Sequence, residues 1–184
     1  MGTVLVELRR YDDAIRAYSE GIETARRIGD LRMLAYGVFN TAGAYLSRND
    51  LLRAEACLRE SETLFRKLRE PVMEALTLDS FGTLWEKRGK WPLAKRNYLL
   101  ALEMLRKGGH ELDLARTAIH ASFYFNKNGE PDAALALLNE ALVIGKRTRA
   151  SGVVEQAQLG LAQRLEVTGG PATAKPSPDG ASVS

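Results

Sequence analysis

The sequence predicts an all-α solenoid of stacked antiparallel helix pairs. Three observations predict it. Small residues recur every 40 positions as Ala14, Ala54, Ala94 and Ala134. Four residues after each stands a large one: Tyr18, Leu58, Tyr98 and Leu138. Pro, Gly and Asn fall where helices would have to start or stop. A small residue lets two helices approach, and a large one a turn away fills the adjoining gap. One helix pair cannot bury both of its faces this way, so each pair needs a neighbour with the complementary pattern.

Further columns keep the same register. Three residues past the large position come Gly21, Ser61, Ala101 and Ala141. Nine before the anchor stand Leu5, Tyr45, Trp85 and Phe125, and twelve before stand Gly2, Ala42, Gly82 and Ser122. Five before, in the turn, stand Arg9, Asn49, Gly89 and Gly129, and Gly or Asn there suits a left-handed cap. Pro71, Pro92 and Pro131 occupy first-turn positions, where a missing N–H costs nothing. Asp12 or Asp13, Asp50 and Asp132 favour the positive ends of second helices. Gly29 and Gly108-Gly109 are stops. Helices are therefore expected at 2–9, 12–28, 31–48, 51–68, 72–88, 92–107, 111–127, 131–149 and 152–167. No strand is expected.

The chain divides on this register into a truncated first repeat (1–30), three full repeats (31–70, 71–110, 111–150), a capping helix (151–168) and a tail (169–184). The first repeat lacks half its leading helix. Val6 and Leu8 are apolar where later repeats place Leu46 and Arg48, Glu86 and Arg88, and Asn126 and Asn128. That apolar edge implies a cover: either more of the array precedes it, or the edge is an interface, with a homo-oligomer as one form of it. In the capping helix Glu155 and Gln158 replace Ala115 and Ala118, as a solvated end requires. The tail, PATAKPSPDGASVS after Gly169-Gly170, has too little apolar surface to offset ordering and is expected to be disordered.

Gly82, Trp85, Gly89, Ala94, Tyr98 and Ala101 together resemble the tetratricopeptide repeat (TPR) family, and four such sets in register extend the resemblance over about residues 2–168. The departure is the period, 40 instead of 34. Arg26, Arg66, Arg106 and Lys146 stand where the shorter repeat often closes with Pro. The resemblance implies a right-handed solenoid whose leading helices line a concave groove. It implies a scaffold or adaptor that binds a peptide or partner helix. The alternative it implies is a sensor or oligomerisation arm of a larger bacterial signalling or transcription-regulating protein.

Composition narrows the classes. The chain has 184 residues and a net charge of +3 from 26 basic and 23 acidic residues, mixed along helices as solvated faces are. Basic pairs sit near turns and late in helices, where they complement the helix dipole. Acidic residues are interleaved with them and no base-reading motif is present, so nucleic acid is not an expected partner. No apolar run reaches membrane-spanning length and no signal segment opens the chain, so no membrane partner is expected. Met1-Gly2 is not a myristoylation start, because Val6 stands where Ser or Thr is needed. Cys57 is the single cysteine, which excludes an internal disulfide and points to a reducing, cytoplasmic compartment. Its helix-face position suggests packing. Two histidines, His110 and His120, and no phosphate loop, HExxH or CxxC spacing leave no expected catalytic residue, metal site or cofactor.

Transfer by repeat position gives the groove candidates that the resemblance implies. They are Tyr36, Phe39, Asn40 and Gly43 from the second repeat. Leu76, Asp79, Ser80, Thr83 and Lys87 come from the third, and Arg116, Ile119, His120, Phe123 and Lys127 from the fourth. Asn40 is the leading candidate, since its amide can both donate to and accept from an extended backbone. Arg116 and Lys127 suit a partner's carboxylate. Asp79 and Ser80 depart from the Lys/Asn/Arg carboxylate clamp of some family members, so no clamp is expected. Phe39, Ile119 and Phe123 have an alternative role as ordinary packing.

Overall fold

The computed structural model describes residues 10–168, with side chains to 163. The expected helix at 2–9, the Val6 and Leu8 edge and the tail lie outside the described residues. Eight helices and no strand occupy the described residues. They are α1 (Tyr11–Ile28), α2 (Leu31–Ser47), α3 (Leu51–Leu68), α4 (Pro71–Lys87), α5 (Trp91–Gly108), α6 (Glu111–Lys127), α7 (Pro131–Thr148) and α8 (Ser151–Thr168).

Local chemistry places the boundaries. Pro71 and Pro131 open α4 and α7, and Pro92 is the second residue of α5. Asp30 and Asp50 precede α2 and α3, and their carboxylates accept from the backbone N–H of Met33 and Arg53 at 2.9 and 3.3 Å. These bonds satisfy N–H groups that the helix itself leaves open. Asn49, Gly89 and Gly129 turn with φ of 63°, 68° and 77°, in the left-handed region expected for them. The turns between repeats use the same device at Gly29, Arg69, Gly109 and Arg149, again 40 residues apart. Arg69 and Arg149, at φ of 56° and 58°, lack the glycine that makes this conformation cheap.

Each helix packs on its neighbours in sequence, and α2 with α3, α4 with α5 and α6 with α7 pack most extensively. The leading helices α2, α4, α6 and α8 also approach one another in series. The second helices α1, α3, α5 and α7 nowhere bring Cα atoms within 8 Å of each other. The leading helices are therefore the closely packed layer, and gaps separate the helices of the second layer.

The small and large columns meet inside the hairpins. Ala42 and Leu58 share one buried cluster. A Cβ built on Gly82 would stand 2.6–2.8 Å from three ring atoms of Tyr98, which is 2% exposed. Gly82 is needed there because Tyr98 fills the space that Leu58 and Leu138 leave free in the flanking repeats. Ala14, Ala54, Ala94 and Ala134 are all fully buried or within 1% of it.

Candidate functional site

On the leading-helix layer the transferred candidates form rows across the array. Tyr36, Leu76 and Arg116 are one row; Asn40, Ser80 and His120 the next; Gly43, Thr83 and Phe123 a third. The rows are unequally open. On α6, Arg116, His120, Phe123 and Lys127 are all exposed, with Phe123 at 51%. On α4, Leu76, Ser80 and Thr83 are half-buried and only Lys87 is exposed. Asn40 is half-buried and its amide has no hydrogen-bond partner among the described residues.

Several candidates are taken up by packing. Phe39 makes an edge contact with the buried Phe65 ring, and Ile119 is in the core. Leu76 packs on the cluster of Ala35, Phe65 and Met73. Tyr36 reaches the residue before α4, and its hydroxyl donates to Glu70 at 2.9 Å. Burial, then the adjoining Glu70, holds its pKa above the ordinary tyrosine value. Lys127 is tied down by Glu86 at 3.2 Å and by the face of Trp91.

Asp79 is not an open groove residue. It is 7% exposed, at the position that Phe39 and Ile119 fill in the adjacent repeats. Its Oδ2 lies 3.0 Å from His120 Nδ1, so the pair joins α4 to α6. Its other oxygen is buried without a partner. The bond to Asp79 raises the His120 pKa above the ordinary histidine value. The transfer by repeat position missed this pairing, although residues 41 apart are neighbours wherever leading helices stack in a 40-residue register. Next to the pair, Thr83 Oγ1 lies 3.2 Å from the Tyr98 hydroxyl. Burial raises the Tyr98 pKa well above the ordinary range.

No protein-family model matches this chain, and neither does any curated protein. A solved structure does resemble it. The crystal structure of BtubC (BKLC) from P. vanneervenii superposes with a TM-score of 0.74 at 20% identity, over 87% of this chain and 67% of that one. The likeness is one of fold.

The second-helix layer carries features that the groove reasoning did not reach. Three clefts lie over the gaps between α1 and α3, α3 and α5, and α5 and α7. Their volumes are about 430, 570 and 450 Å³. The outer two are bridged by ion pairs at equivalent positions, Arg26 to Glu60 at 3.0 Å and Arg106 to Glu140 at 2.6 Å. The middle one has Arg66 facing Leu100, so no bridge forms. Arg66 turns instead to Glu62 at 2.9 Å and Glu74 at 3.9 Å. Cys57 lines the first cleft, where burial pushes its thiol up to about 11 and leaves it a packing residue.

Among the described residues, no His, Cys, Asp and Glu group of three or more is placed to hold a metal ion, and no helix is long and apolar enough to cross a membrane.

Proposed function

We propose that this chain is a right-handed, TPR-like solenoid that binds a peptide or helix of a partner protein on its leading-helix face. The open surface of α6 carries the proposal. Phe123 stands exposed there between His120 and Lys127, about two helical turns from the exposed Arg116. An exposed aromatic and an unpaired arginine on one helix face are the composition of a binding anchor. Arg116 makes no ion pair among the described residues, so its full donor set is open to a carboxylate. Asn40 supplies an unpaired amide at the other end of the same surface. The closely packed leading helices supply a rigid platform, and the shared fold with BtubC supports the solenoid reading.

The experiment is selection of binding peptides from a displayed library on the immobilised chain, followed by affinity measurement on variants. Phe123→Ala, and Asn40→Ala combined with Arg116→Ala, are each expected to weaken the selected peptides about tenfold or more. Circular dichroism should stay unchanged. A photo-crosslinking residue at position 123 should capture the peptide. Undiminished affinity in both variants would place the site elsewhere.

A further inference from the structure

The middle cleft of the second-helix layer differs from its two neighbours in a way that stacking does not require. The first and middle clefts are lined by largely the same columns of the 40-residue register, and the third shares with the middle one the columns of Arg66, Glu74, Leu100 and Met104. In the flanking clefts a glutamate, Glu60 or Glu140, reaches back to an arginine on the preceding second helix and bridges the gap. In the middle cleft that glutamate is Leu100. Arg66 is drawn back by Glu62 and Glu74, which replace the apolar pairs Ile22 and Leu102, and Leu34 and Leu114.

The result is a gap with two unlike walls. The α5 wall is apolar, with Leu93 and Leu100 each 38% exposed, and Phe81 and Trp85 beneath. The rim is basic. Arg59 and Arg96 stand where the corresponding walls of the flanking clefts have Ser19 and Leu99, and Ala56 and Ala136. Arg59 is paired with Glu55, and Arg66 takes up both carboxylates of the cleft. Arg96 is exposed with no ion pair among the described residues. With Arg59 and Arg66 engaged by Glu55, Glu62 and Glu74, Arg96 supplies the unpaired positive charge of the rim beside an apolar strip.

We propose that this cleft docks an amphipathic helix of a partner protein, with leucine-like residues seated on Leu93, Leu100 and Trp85 and an acidic flank facing Arg96 and Arg59. An apolar strip reads the i, i+3, i+4, i+7 face of a helix, and the rim charge selects its sign. This second surface lies on the opposite layer from α6 and stands or falls independently of the groove reading.

The test uses Trp85 as the reporter in a Trp91→Phe background. The probes are a synthetic helix of about 18 residues, long enough to be helical in solution, with a leucine face and glutamate flanks, and the same helix with lysine flanks. The glutamate helix should shift Trp85 emission and bind about tenfold more tightly than the lysine helix. Leu100→Glu, which restores the residue of both flanking repeats, should cost about tenfold in affinity with helicity and Tm preserved. Equal binding of the two helices, or an unchanged affinity in Leu100→Glu, would overturn the proposal. So would a dimer of the chain in sedimentation that Leu100→Glu abolishes, because the occupant would then be a second copy.

Discussion

The third and fourth repeats share one register and use it differently. The fourth fills its columns with Ser122, Leu138, Ile119 and Glu140; the third has Gly82, Tyr98, Asp79 and Leu100 at the same places. Three of these departures are answered nearby. Tyr98 is larger than Leu138, and Gly82 is smaller than Ser122 by what the ring needs. Asp79 is polar where Ile119 is apolar, and His120 supplies it with a partner. The Leu100 departure is different, since it takes a bridge away and puts exposed apolar surface in its place. Departures that come with a structural partner are explained by packing. The one that leaves a gap is where function is to be sought.

The tightest coupling breaks hardest. Tyr98→Ala should lower stability by about 4 kcal/mol, since a fully buried ring is lost and the cavity closes only in part. Gly82→Ala should lower it by about 2 kcal/mol, because the new methyl meets the Tyr98 ring. Combining Gly82→Ala with Tyr98→Leu reproduces the flanking arrangement and should recover most of the Gly82→Ala loss. Urea denaturation of the unmodified chain, Gly82→Ala, Tyr98→Leu and the double variant measures this, and strict additivity would show that the two positions are not a compensated pair.

The Asp79–His120 pair gives a pH-dependent comparison. His120 has its folded pKa raised, so its contribution is complete below the unfolded value of about 6.5 and is lost as pH rises through the folded pKa. Asp79→Ile installs the type of residue that Ile119 represents and removes a buried, unpartnered carboxylate oxygen. It should stabilise the protein by about 1 kcal/mol at pH 8 and by less at pH 5.5. A gain that is larger in acid would refute the pairing. In Asp79→Asn, the His120 ring resonances should titrate at lower pH than in the unmodified chain.

A smaller effect is expected in the turns. Arg69 holds a left-handed conformation that Gly29 and Gly109 adopt without strain. Arg69→Gly should raise stability by about 0.5–1 kcal/mol, read as an increase in Tm, because relief of strain outweighs the added freedom of the unfolded chain. Gly29→Arg should do the reverse.

Much of the architecture was legible before any coordinates. The helix ends fall within a residue or so of the positions that Pro71, Pro92, Pro131, Asn49, Gly89 and Gly129 mark, because caps and turns are local chemistry. Arg69 and Arg149 were not legible as left-handed, since nothing in an arginine announces it; only their place 40 residues from Gly29 and Gly109 does. The candidate face was half legible. Repeat position brought Arg116, His120 and Phe123 together in the open. It could not tell that Asp79 is roofed over or that Lys127 is held by Glu86 and Trp91, because those facts depend on which side chain crosses to which neighbour. The bridges over the second-layer clefts follow one pair of columns, Arg26, Arg66 and Arg106 against Glu60, Leu100 and Glu140. The small and large columns mark what stacks, and only the charged columns mark what bridges.

The weakest expected effect on stability carries the most about function. Leu100→Glu gives Arg66 the partner that Arg26 and Arg106 have, yet an exposed pair of this sort contributes only about 0.5 kcal/mol. Glu62 and Glu74 already compete for the same guanidinium, so the gain should sit at the low end, and a double-mutant cycle with Arg66→Ala measures it. The converse, Glu140→Leu, opens the fourth-repeat cleft by the same single exchange. It should not create a site for the acidic helix, because Ala136 stands where Arg96 supplies the free cation and Ala133 where Leu93 supplies apolar surface. Binding of the glutamate helix to Glu140→Leu at the new position would mean that an unbridged gap alone is enough. Its absence there, with binding at the middle cleft, would assign the selectivity to Leu93, Leu100 and Arg96 acting together.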